Sequence, residues 1–377
     1  MKFTSINNID LSEDGGDAHT IRTNFIHKGL TEEGIDLKIF SCSTNYDSTP
    51  CNDNGRYILY SLRGKSYFLK KIWFLINPII FFKFLLSIPK EHVILIDKLA
   101  LNLILPFIFF KILKKNIVVA QYHEFFTFHN EPKNKVVKAA MKVYFHLLKI
   151  LLKHVDLLIV ISDAHGKYFA NFMKKVNFIV IPILMDCKSS TEKYTKEKKF
   201  RICYAGAISK SNGVEILLQA IKNIPSLQLD IFGNCISSYK EHLEQKYKIT
   251  VGESKNNEEA KKVLAMQNLL VIPKINDERA IGYIPSKLGD YFNSGVPVLA
   301  TKVGIINQYI VDNVNGFVVE PDNIEEMHRK VLSIMNLSEE ELQKIGKKGR
   351  LSAQQFQYQT QVKILLKALR KLYVYQL

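Results

Sequence analysis

The stretch DERAIGYIPSKLGDYFNSGVP, residues 277–297, decides how this chain is read. Five charged residues, Asp277, Glu278, Arg279, Lys287 and Asp290, surround a glycine and a Pro-Ser step, and the run ends at Gly295-Val296-Pro297. The spacing predicts an amphipathic helix with Ser286 as its N-cap, because a serine hydroxyl there accepts from backbone N–H groups that otherwise lack partners. A helix start beside a lysine suits an anion. Exposed amides and the helix dipole favour negative charge, Lys287 adds a point charge, and Asp290, one turn on, is placed to accept from sugar hydroxyls. The pattern outlines a nucleotide-diphosphate site. An ordinary capped surface helix has the same outline, and these residues alone leave both readings open.

Composition narrows the field. A chain of 377 residues has room for two domains of about 150 to 200 residues each. Hydrophobic content of 47% and charged content of 23% belong to a globular protein rather than a disordered one. The balance of 52 Lys+Arg against 36 Asp+Glu gives a net charge of +16, which attracts phosphate in any form: nucleic acid, anionic lipid or sugar nucleotide. The five cysteines, Cys42, Cys51, Cys187, Cys203 and Cys235, form no CxxC pair and read as reduced cytoplasmic thiols without a metal site. The first eight residues lack a basic segment followed by an apolar run, which argues against secretion.

Two apolar stretches, residues 72–88 and 93–113, are each interrupted, the first by Pro78 and Lys83 and the second by Asp97, Lys98 and Pro106. Neither supplies the roughly 18 to 20 apolar residues of a bilayer span. They read as helices and a strand with greasy faces. Flanking lysines (Lys65, Lys70, Lys71, Lys83, Lys111, Lys114, Lys115) make docking on an anionic membrane surface the functional alternative to a plain core role.

From the start, residues 3–9 read as a strand and LSEDGGDAH as a loop, in which Gly15-Gly16 permits close backbone approach to a ligand. Asp17 then caps a helix over 18–33, with Ile21, Phe25, Ile26 and Leu30 at helical spacing. Strands follow at 35–42, 56–60, 93–97, 117–122, 157–162 and 178–182, separated by helical patterns. This alternation predicts a parallel sheet with helices on both faces and ligands beyond the carboxyl ends of the strands. Gln121-Tyr122-His123-Glu124 and Ser162-Asp163 stand at two such ends. His123 is either a ligand contact or an ordinary histidine; Ser162 and Asp163 read mainly as a helix cap.

The polar run DCKSSTEKYTKEKK marks a domain boundary, with residues 1–186 before it, 187–199 as linker and a second domain over 200–351. That domain reads as strand 200–204, helix 214–223, strand 227–232, helix 237–246, strand 247–251, helix 256–266, strand 269–273, the opening stretch, and strands 296–300 and 316–319. It is a second doubly wound α/β unit. From residue 323 the pattern is helical, and a last helix from 352 is long enough to reach back to the first domain.

Together, YAGAISKSNGVEILLQAI, LDIFG, IPSKLGDYFNSGVPVLAT and GIINQYIVDNVNGFVVEPDN resemble the donor-binding domain of the retaining glycosyltransferases of family 4. GGDAHTIRTNFIHKGLTEEGID resembles the same family's glycine-loop helix. The resemblance implies the GT-B fold, two Rossmann-like domains facing across a cleft, and metal-free transfer of a sugar from a nucleotide-diphosphate donor, UDP- or GDP-linked, with retention.

Carried over by position, the ribose-holding glutamate of the family falls on Asp290, a shorter acid with the same acceptor chemistry. The glutamate eight residues earlier falls on Gly282, a departure that passes the sugar-facing role to Glu278 or Asp277. The basic pair after the first strand of that domain falls on Ala207 and Asn212, leaving Lys210 as a substitute and Lys287 as the leading diphosphate cation. Gly16 presents an amide to the diphosphate, and His123 matches the family's donor-sugar histidine. The catalytic set expected is His123, Lys287 and Glu278; the binding set is Gly16, Lys210, Ser286, Lys287 and Asp290.

The leading expectation is a cytoplasmic enzyme, peripheral to the inner membrane, that extends a lipid-linked oligosaccharide for lipopolysaccharide or capsule. Its partners are then the donor, the acceptor and an anionic lipid surface, without nucleic acid. A sugar-nucleotide epimerase on the same fold, a basic nucleic-acid-binding protein and a catalytically silent scaffold are the alternatives.

Overall fold

The computed structural model describes residues 1–7, 18–43, 52–53, 56–60, 86, 88–96, 108–123, 125, 135–171, 173, 177–187, 199–277 and 280–376. These residues form two compact units, Met1–Pro182 with Tyr358–Leu377, and Ile183–Gln357.

The first unit contains β1 (Lys2–Asn7), α1 (Ala18–Glu32), β2 (Asp36–Ser43), β3 (Asn52–Asp53), β4 (Arg56–Tyr60), β5 (His92–Ile96), β6 (Val118–Tyr122), α2 (Lys135–Leu152), β7 (Leu157–Val160), α3 (Asp163–Ala170) and β8 (Phe178–Val180). Its sheet runs β3-β4-β2-β1-β5-β6-β7-β8, and only the β3–β4 pairing is antiparallel. Helices cover both faces of such a sheet, so β7 and the part of β5 after His92 are continuous Val/Ile/Leu runs rather than alternating ones. Leu148, Leu151 and Leu152 of α2 pack with Phe109, Phe110, Val118 and Ala120 into its core.

Two of the lysines that flank the apolar stretches are spent on the fold. Lys111 pairs with Asp156 at 2.6 Å, and Asp156 also accepts from the Val118 amide at 2.8 Å. The Lys114 amine donates to the carbonyls of Leu86 and Ile88. Lys65, Lys70, Lys71 and Lys83, like most of both apolar stretches, lie outside the described residues. Among the described residues no helix is long and apolar enough to cross a membrane.

The second unit contains β9 (Phe200–Ala205), α4 (Val214–Ile221), β10 (Leu227–Phe232), α5 (Ser237–Tyr247), α6 (Asn257–Ala265), β11 (Leu269–Ile272), α7 (Lys287–Ser294), β12 (Val298–Thr301), β13 (Phe317–Val319), α8 (Ile324–Met335) and α9 (Glu339–Ala353). The strands lie in the order β10-β9-β11-β12-β13, all parallel. The order reverses between β9 and β11. Open α/β sheets hold ligands outside the carboxyl ends of strands at such a point.

The expected strand over 247–251 does not form. Lys248 turns the chain at φ 53°, Glu244 takes the Val251 amide at 2.9 Å, and only Gly252 bridges to Phe232. A side chain satisfies the backbone there in place of a ladder. The helical region after 323 is also broken twice. Ser338 and Glu341 form a capping box that starts α9, and Gln357 at ψ 122° separates it from α10 (Tyr358–Gln376). The last helix therefore begins at Tyr358, not at 352.

The chain enters the second unit ahead of the polar run. The Met185 amide donates to the Phe356 carbonyl at 3.0 Å, and the Cys187 amide donates to Gln357 Oε1 at 2.7 Å. This segment packs closely on α7 at Gly289, where a Cβ would lie 2.9 Å from Met185 Sδ and 3.2 Å from Ile183.

Candidate functional site

The first strand of the second unit, β9, ends at Ala205, and the next residue is Gly206 at φ 131°. Its amide donates to the Phe232 carbonyl at 3.0 Å, and the Ile208 amide donates to the Asn234 carbonyl at 2.8 Å, so the loop leans onto the end of β10. The loop is fixed from inside by Tyr204 and Asn212, which both donate to the Ala207 carbonyl, at 2.6 and 2.8 Å. Helix α7 is tied to the same strand end. Tyr291 Oη accepts from the Ala205 amide at 2.8 Å and donates to the Ala205 carbonyl at 3.2 Å.

Lys287, the first residue of α7, reaches into this corner. Its Nζ lies 3.8 Å from the centroid of the Tyr204 ring, and a Cβ on Gly206 would stand 2.9 Å from that Nζ. Burial lowers the amine from the usual lysine range to about 7, with the nearby Cys203 opposing the shift. The structure thus brings Lys287 to the loop in which Ala207 and Asn212 stand where the resemblance led us to expect a basic pair. Lys210 stands in the short turn Lys210–Asn212 of that loop and is exposed.

Asp290 lies in the first turn of α7 and reaches solvent, yet desolvation by the surrounding protein pushes its carboxyl up to about 6, with Lys261 acting against the shift. Ser286 differs from expectation. It occupies the cap position with helical backbone angles, φ −54° and ψ −36°, and its side chain makes no capping bond. The Leu288 amide instead donates to the Pro285 carbonyl at 3.0 Å, so the turn starts earlier and leaves the exposed Ser286 hydroxyl outside the cap.

Sequence reasoning missed Lys274, which follows β11. It is 5% exposed, and its amine donates to the Ser211 carbonyl at 2.6 Å and pairs with Asp277 at 3.2 Å. It ties the β9 loop to the β11 end and engages one of the two acids considered for the sugar-facing role. No spacing signal marks it; a lysine directly after a strand-final proline is the only cue. Gly282, at the departed glutamate position, is left-handed at φ 69°. Glu278 and Gly16 lie outside the described residues.

In the first unit, His123 follows β6 and meets His19, in the first turn of α1, edge to face at 4.6 Å between ring centroids. His19 was also missed, because its partner is about a hundred residues away in sequence. In the same unit Phe125 stacks on His165 at 4.1 Å, and the Ser162 hydroxyl caps α3, lying 2.8 Å from His165 Nδ1 and accepting from the His165 amide at 3.4 Å.

Residues 188–352 match the family model described as Glycosyl transferases group 1. The two Rossmann-like units have the fold of the GT-B glycosyltransferases. An uncharacterized glycosyltransferase of Methanocaldococcus jannaschii, MJ1178, is 23% identical over 272 residues, 65% of this chain and 74% of that one. An uncharacterized 41.2 kDa protein in the cps region of Klebsiella pneumoniae is 24% identical over 209 residues, 52% of this chain and 55% of that one. Among solved structures, sucrose-phosphate synthase from Thermosynechococcus elongatus superposes with a TM-score of 0.74 at 16% identity, covering 100% of both chains. Anabaena Alr3699/HepE in complex with UDP gives 0.70 at 14% identity, over 98% of this chain and 100% of that one.

Proposed function

We propose that this protein transfers a sugar, with retention, from a nucleotide-diphosphate donor to a lipid-linked oligosaccharide in the assembly of a surface polysaccharide at the inner face of a membrane. The observation that carries this reading is the Lys287 ammonium at the glycine turn after β9, at the sheet's switch point. Support for a nucleotide-sugar donor comes from the group 1 match and from the UDP bound in the Anabaena structure. The Klebsiella relative's cps region supports the polysaccharide context.

In this reading Lys287 and the Gly206 turn hold the donor diphosphate. As the glycosidic bond breaks, charge grows on the leaving phosphate, and a preplaced cation in a partly desolvated corner stabilises that charge most. Asp290 accepts from the ribose hydroxyls, Ser286 and Lys210 border the phosphates, and His123 is the first unit's candidate for the sugar. Positioning dominates, with the leaving phosphate assisting removal of the acceptor proton. A panel of UDP- and GDP-sugars in a thermal-shift assay tests the reading: a donor at 100 times its dissociation constant adds about 2.7 kcal/mol to stability. No shift with any nucleotide sugar would overturn it.

A further inference from the structure

We infer that the solvent face of helix α2 is the surface by which this protein docks on an anionic bilayer. This deepens the membrane part of the proposed function and names its contact. On an α-helix successive residues turn by about 100°. Lys135, Ala139, Lys142, Val143, His146 and Ile150 then fall within an arc of about 100°, and all six are exposed. Val143 is 69% and Ile150 42% exposed, whereas Leu148 and Leu152 on the opposite side are 2% and 0% exposed in the core of the first unit.

The helix's own charge has one sign. Lys135, Lys138, Lys142, Lys149 and Lys153 occur between residues 135 and 155, and no carboxylate does. Lysines beside exposed branched aliphatics fit a lipid headgroup layer, which takes both the ammonium groups and the apolar tips. A nucleic-acid surface uses the cations but gains nothing from Val143 and Ile150. Four lysines within its 18 residues also exclude α2 as a span, so it lies on the surface rather than across it.

The experiment is flotation of the full chain with phosphatidylcholine vesicles, with and without phosphatidylglycerol. Binding is expected only to the anionic vesicles and is expected to fall with salt. Lys142→Gln with Lys153→Gln should weaken partitioning by about fivefold per lysine. Val143→Ser with Ile150→Ser should weaken it without removing the salt dependence. Unchanged partitioning in both double variants, or a wild type that ignores anionic vesicles, overturns the inference. A dimer in light scattering that both double variants dissolve overturns it in favour of an interface between copies. Nucleotide-sugar thermal shifts on the same variants separate the two proposals: vesicle binding without donor binding removes the proposed function and leaves this one standing.

Discussion

The ammonium of Lys287 lies 3.8 Å over the face of the Tyr204 ring, and Tyr204 itself fixes the β9 loop through its bond to the Ala207 carbonyl. Cation and loop are therefore one assembly: the ring that holds the loop also holds the charge. Replacing Lys287 with alanine should lower turnover of the preferred donor by about two to three orders of magnitude, the usual loss when one preorganised electrostatic contact is removed. Unchanged turnover in a steady-state assay would exclude this corner as the diphosphate site.

Removing the same charge should stabilise the empty protein. Burial lowers the Lys287 amine to about 7 from an unfolded value near 10.5, so the fold disfavours its charged form. The penalty is present in full below pH 7, shrinks as pH rises, and vanishes above about 10.5. Lys287→Met should therefore melt higher than wild type at pH 6, with the gap closing toward pH 10, while donor turnover is lost. A lower melting temperature for Lys287→Met at pH 6 would contradict the assigned environment.

Donor affinity should carry the same titration with the opposite sense. A diphosphate favours the ammonium form, and the pyrophosphate diester of a nucleotide sugar does not itself titrate near neutrality. Between about pH 7 and the raised value in the complex, affinity should fall about tenfold per pH unit, and binding should take up a proton. Calorimetry in buffers of different ionisation enthalpy reads that proton directly; a flat affinity from pH 6.5 to 9 would refute the linkage.

Tyr291 secures the helix that carries Lys287, because its hydroxyl serves both the amide and the carbonyl of Ala205. Tyr291→Phe keeps the ring and leaves a part-buried amide without that partner, at a cost of about 1 to 3 kcal/mol in urea unfolding. Donor affinity should weaken with it, since α7 is then less firmly placed against the β9 end. Full stability in this variant would separate the helix from the loop.

Much of the sheet was legible because buried parallel strands are short aliphatic runs: residues 117–122 and 157–162 read as strands from those residues alone, and strands form at Val118–Tyr122 and Leu157–Val160. The 247–251 run has the same composition and fails, since Glu244 and Lys248 divert its backbone, and neither effect follows from β-propensity. In the candidate site, the expected helix start beside Lys287 and the position of Asp290 one turn on are both found in α7. Ser286 misled because a serine after proline takes either extended or helical angles, and only the extended ones make a cap. Lys274, Tyr204, Tyr291 and His19 were invisible because each acts through a partner distant in sequence.

Gly282 sets the limit on restoring the family's usual acid. It stands at φ 69°, where a side chain costs about 1 to 2 kcal/mol, and the turn around it is tied down by the Ile305 amide donating to the Tyr283 carbonyl at 3.1 Å. A glutamate placed there meets a backbone built for glycine. Gly282→Glu should therefore lose stability by about that amount and leave the donor preference unchanged, and Gly282→Ala should lose as much without any carboxylate. Chemical denaturation of the pair checks the first statement, and a nucleotide-sugar panel the second. If Gly282→Glu gained turnover over Gly282→Ala, the turn would be able to present an acid to the sugar, and the present site would be one substitution from the family pattern rather than built around its absence.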